Sequence, residues 1–113
     1  MRLAIAALSL VLPVSGAIPP LPAGFQALYN LDYARAIAWF EQETAQRPED
    51  PEAWNHLAQA ILHRALFEAG AFDSSAFSPG NPFLRRPKVP MRPEDLARFQ
   101  DAISRSLALC EER

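Results

Sequence analysis

The sequence predicts an all-α fold. Tyr33, Ala36, Ile37 and Phe40 recur at three- and four-residue spacing, as do Trp54, Leu57, Ala58, Ile61 and Ala65 further on. Phe99, Ala102 and Ile103 then repeat the spacing of Tyr33, Ala36 and Ile37. Such intervals gather side chains onto one face of a 3.6-residue helix, which buries that face against a neighbour.

Each element follows from local chemistry. Met1 and Arg2 precede an apolar run from Leu3 to Leu12, and Ser15, Gly16 and Ala17 supply small residues behind it. This is the build of a secretory signal peptide spanning residues 1–17, and the run is far shorter than the ~20 apolar residues needed to cross a bilayer. No cysteine stands directly behind the run, so a lipid anchor is not expected. Residues 18–113 then form the folded domain. Ile18 to Pro22 holds three prolines and reads as an extended lead, followed by a short helix to about Tyr29 and a turn over Asn30 to Asp32. The next helix ends near Arg47, because Pro48 cannot continue it.

Asp50-Pro51-Glu52 starts a third helix: the Asp side chain can accept an orphan amide, Pro51 gives up no hydrogen bond at the first position, and Glu52 suits the positive end of the dipole. Gly70, able to take a left-handed backbone, stops it. Residues 72–91 carry Pro79, Gly80, Pro82, Pro87 and Pro90 and read as an irregular insertion, with Phe72, Phe77, Phe83 and Leu84 arguing that it packs back on the helices. Pro93, Glu94 and Asp95 begin the last helix, whose expected buried stripe is Leu96, Phe99, Ala102, Ile103, Leu107 and Cys110. Trp54 and Phe40 are expected as core anchors.

The order Tyr33, Ala36, Ile37, Phe40, Pro48, Trp54, Leu57, Ala58 resembles a tetratricopeptide repeat, a 34-residue helix-turn-helix unit. Gly24, twelve residues before Ala36, and Pro48, fifteen after Tyr33, fit the same register. Ala27 departs from it, standing where the first unit usually has an aromatic. The resemblance implies tandem helical hairpins, the second interrupted by the proline-rich basic insertion, since 48 residues separate Trp54 from Ala102 where about 16 would serve. It further implies a partner-binding concave surface lined by the first helix of each unit, which on this chain means Phe25, Leu28 and Tyr29, then Asn55, Gln59, Leu62 and His63. Asn55 is one position away from the asparagine with which some members clamp a C-terminal carboxylate, and the matching lysines are absent, so that specificity is not carried over.

Chemistry is thinly represented. The chain has 11 basic and 13 acidic side chains, and cleavage would remove Arg2 from the basic set, which argues against nucleic acid as a partner. Cys110 is the single cysteine, so no intramolecular disulfide forms; its position on the last stripe predicts a buried thiol. His56 and His63, seven apart on one helix, stand ~10 Å apart, too far to share a metal without further ligands. Ser74 and Ser75 sit in no glycine elbow, and no glycine-rich phosphate loop occurs. No catalytic residue, metal or cofactor is expected. Arg85, Arg86, Lys88 and Arg92 concentrate positive charge in eight residues, suited either to the acidic helices of the chain itself or to a partner's carboxylates. Pro87 to Arg92 also matches the P-x-x-P-x-R form of polyproline II ligands, although three-residue proline spacing serves equally to stiffen the segment.

The expectation is therefore an exported adaptor that binds a peptide or protein through Phe25, Leu28, Tyr29, Asn55, Gln59, Leu62, His63, Arg85, Arg86 and Lys88. An N-terminal or accessory module of a longer repeat protein supporting an envelope complex is the second reading, and a small secreted enzyme the third. The last helix runs to the end of the sequence without a polar closing helix, so self-association through it is also expected. N-terminal sequencing of the expressed protein should find it starting at Ile18; a product retaining Met1 would remove the export reading.

Overall fold

In the computed structural model, residues 16, 18–71 and 90–112 are described. They form α1 (Ala23–Tyr29), α2 (Tyr33–Gln46), α3 (Pro51–Glu68) and α4 (Pro93–Glu111), with no strand among the described residues. Each helix packs on the next, α1 on α2, α2 on α3 and α3 on α4.

The boundaries are set by the groups that satisfy orphan backbone atoms. Asp32 caps α2 by accepting the Arg35 amide at 3.4 Å, and Asp50 caps α3 by accepting the Glu52 amide at 3.0 Å. At the far end of α3, Gly70 has φ +69°, its amide donates to the Phe67 carbonyl and the Ala71 amide donates to the Leu66 carbonyl. That reciprocal pair is a Schellman ending, which a residue with a β-carbon at position 70 would strain. The α1–α2 turn breaks this rule: Leu31 takes φ +62°, so a bulky side chain occupies a left-handed site.

Between α2 and α3 the turn is held by side chains. Arg47 pairs with Glu43 and, at 2.7 Å, with Asp50, joining the end of one helix to the cap of the next. The Trp54 indole N–H donates to the Pro48 carbonyl at 2.9 Å, and the Arg105 guanidinium from α4 lies 4.8 Å above the same ring. Trp54 is consequently half-buried. The indole packs against the core cluster without being enclosed by it, because its polar edge reaches the turn and keeps part of the ring at the surface. Phe40, 1% exposed, is the enclosed anchor.

The core joins all four helices through small residues at the crossings. Ala36 and Ala60 are wholly buried and Ala58 and Ala102 are 1% exposed, which lets the backbones approach closely. Gly24 serves the same purpose for α1, since a β-carbon there would collide with the Trp39 indole. Helix α3 is buried on more than one face, at Ala53, Leu57, Ala58, Ala60, Ile61 and Ala65. By contrast α4 buries only Asp95 and Ala102 fully. Leu96 and Leu107 are exposed and so is Cys110, which corrects the expected stripe: no element among the described residues lies beyond α4 to cover them.

Truncation of Phe40 to Ala should cost ~3–5 kcal/mol in urea denaturation, because it removes a buried ring from the centre of the cluster. Trp54→Ala should cost measurably less. Equal losses would return Trp54 to the core.

Candidate functional site

The described residues expected to contact a partner separate into three groups. Phe25 and Leu28 are largely withdrawn from solvent. Leu28 is 3% exposed, and the Phe25 ring stacks edge-on at 5.1 Å from Phe40 and 4.9 Å from His56. Both residues serve the α1–α2–α3 junction, and Leu28 also reaches the groove at the α1–α2 turn. The helical pattern shows that they share a face but not that α3 covers it.

Tyr29 and His63 belong to a second group, around an open groove of about 360 Å³ at the α1–α2 turn. Leu28, Leu31, Tyr33 and Phe67 complete its lining. Tyr33 and Phe67 stack at 5.5 Å, and burial pushes the Tyr33 phenol above its usual range, so it stays neutral and can only donate or accept a hydrogen bond. Tyr29, Leu31 and Phe67 are all exposed there.

Asn55, Gln59 and Leu62 form the third group. Together with Ala58 they line one wall of a groove of about 390 Å³, and Phe99 and Ile103 of α4 line the other. Sequence reasoning missed the α4 wall, because it placed Phe99 and Ile103 in a buried stripe. Their match to Tyr33 and Ile37 was the signal, and their half-buried state shows that the equivalent covering helix is not among the described residues. Arg85, Arg86 and Lys88 lie outside the described residues.

The electrostatics of this groove come from what holds α4 in place. One Arg64 nitrogen donates to both Asp95 oxygens at 2.7 Å, Asp95 being 5% exposed in the first turn of α4. Arg98 pairs with Glu41 of α2 and stands 3.7 Å from Asp95. At the other end the Ser106 hydroxyl donates to the Pro51 carbonyl at 2.9 Å. The charges are thus spent between helices, and among the described residues no charged side chain lines the groove itself. The described residues contain no group of three His, Cys, Asp or Glu able to hold a metal, and no helix long and apolar enough to cross a membrane.

No protein-family model, curated protein or solved structure matches the chain. The site is accordingly read from its own geometry.

The Arg64 Nε atom is buried without a partner, so the Arg64–Asp95 pair is stabilising only while both members are present. Asp95→Ala should cost ~3–5 kcal/mol in urea denaturation, and adding Arg64→Met to Asp95→Leu should recover most of the loss suffered by either single change. Additive losses would mean that the two charges do not act on each other.

Proposed function

We propose that the chain is an exported adaptor of the tetratricopeptide type, made of two helical hairpins, that binds a protein or peptide partner and performs no reaction. The observation that carries this reading is the α3–α4 groove: it combines half-buried apolar side chains, Leu62, Phe99 and Ile103, with the amides of Asn55 and Gln59, and it opens to solvent beside the exposed Leu96 and Leu107. Apolar surface that is both concave and rimmed by polar groups is the form that partner-binding sites take. The internal spacing that relates α1 and α2 to α3 and α4 supports the hairpin reading. The residues at the amino terminus, a charged start, a short apolar run and small residues, support export. In a longer relative of this arrangement the same groove would be filled by further repeats, which keeps the accessory-module reading as the second one.

The test places a photo-crosslinking residue at Gln59 in the full chain within its native envelope. A protein captured by the wild-type background, lost with Ile103→Glu, and weakened more at low than at high salt when Arg85, Arg86 and Lys88 become Ser, is the expected result. Capture that ignores Ile103→Glu would remove the groove from the function.

A further inference from the structure

The identity of the groove's occupant can be read from the other half of the molecule. A shift of 34 residues carries Gly24, Phe25 and Leu28 of α1 onto Ala58, Gln59 and Leu62 of α3. A shift of 66 carries Tyr33, Ala36, Ile37 and Phe40 of α2 onto Phe99, Ala102, Ile103 and Ser106 of α4. Burial supports this correspondence where the hairpin closes on itself: Ala36 and Ala102 are both sealed at the helix crossing. It diverges at the outer face. Leu28, Tyr33 and Ile37 are buried, whereas Leu62, Phe99 and Ile103 are half-buried. In the first half α3 supplies the cover, through His56 against Phe25 and Phe40 and through Phe67 against Tyr33.

We propose that the α3–α4 groove takes one amphipathic helix from another polypeptide, lying across Gln59, Leu62, Phe99 and Ile103 as α3 lies across Phe25, Leu28, Tyr33 and Ile37. This rests on the binding reading above and names the class of partner. The packing is a continuation of the α1–α2–α3 interface by one further layer. Size favours a single helix over a second copy of the chain. The groove runs from Asn55 to Leu62 on α3 and from Phe99 to Ile103 on α4, about two helical turns at ~1.5 Å per residue. A seat of two turns fits one helix and is small beside the ~800 Å² per partner that a stable pair of folded domains buries.

The groove also specifies what that helix carries. In the first half, two aromatic rings clasp His56, at 4.9 Å from Phe25 and 5.7 Å from Phe40. Their counterparts are Gln59 and Ser106, and Ser106 is engaged with Pro51. Volume filled by two rings on one side is missing on the other, so the incoming helix brings a larger apolar residue where α3 has histidine. With no charged lining among the described residues, its facing stripe is uncharged, and polar neighbours meet the amides of Asn55 and Gln59.

Two fluorescein-labelled synthetic peptides with the α3 sequence Pro51–Glu68 test this, one native and one with His56→Leu, titrated by anisotropy against the full chain. Saturable binding is expected, tighter for the His56→Leu peptide, weakened about tenfold or more by Ile103→Glu in the full chain and strengthened by Gln59→Leu. Gln59→Leu adds apolar surface at a half-buried rim and keeps the test open if Ile103→Glu fails to fold. Absence of binding by both peptides, while crosslinking at Gln59 still captures a protein that Ile103→Glu loses, overturns the helix assignment and leaves the adaptor reading standing. Loss of both overturns both. Equal affinity for the two peptides, or no effect of either groove substitution, would also overturn the proposal. So would concentration-dependent dimerisation in sedimentation that Ile103→Glu abolishes, since it would make a second copy the occupant.

Discussion

Helix α3 must be buried from two sides at once, and the small residues along it are what make that geometrically possible. Ala53, Ala58 and Ala60 let neighbouring backbones come close, while Leu57 and Ile61 fill the space between. Larger residues at the alanine positions would push the helices apart and open voids next to Phe40 and Ile61, the two largest side chains that are fully enclosed. The same constraint appears at the edge of the molecule, where Gly24 leaves room for the Trp39 indole. Few large residues are then needed to complete a core in a chain of this length. The aromatic contacts among Phe25, Trp39, Phe40 and His56 concentrate that filling at one junction.

Much of this was legible in the sequence wherever the controlling interaction is local. Asp50, Pro51 and Gly70 act within one or two turns of themselves, so the start and end of α3 could be read from residue type. The stripe Tyr33, Ala36, Ile37 and Phe40 is likewise a property of one helix, and all four residues are buried. Periodicity does not say which striped face finds a cover. It therefore could not distinguish Ile37, which α3 protects, from Ile103, or show that Cys110 and Leu107 stand in solvent. Interactions between distant residues left still less trace. Arg64 and Asp95 are ordinary helix-surface residue types until α4 is laid against α3, and Trp54 reads as a core residue until its N–H is seen to need the Pro48 carbonyl. Of the residues expected to contact a partner, Asn55, Gln59 and Leu62 meet in one groove because they share a helix face; the opposite wall depends on how α4 docks. The basic cluster at Arg85, Arg86 and Lys88 lies outside the described residues.

The two grooves differ in a way that bears on recognition. The one at the α1–α2 turn is built on aromatic rings and on Leu31, whose left-handed backbone costs about 1–2 kcal/mol relative to an ordinary conformation. The one between α3 and α4 is unstrained and rests on regular helices. Helical walls hold side chains more accurately than loops do, so under the proposed binding role the α3–α4 groove would suit a partner with its own regular structure.

The attachments of α4 have an entropic cost. Helices α1, α2 and α3 are joined by short turns, so their contacts close small loops and form with little loss of chain entropy. Everything that fixes α4 reaches further: Asp95 to Arg64 is 31 residues, and Ser106 to Pro51 is 55. Closing those longer loops costs more chain entropy, by about 0.6 kcal/mol for each doubling of length. Release of α4 would bare the second side of α3 and remove one wall of the groove, so anything that fills the groove also holds α4 to the rest of the molecule.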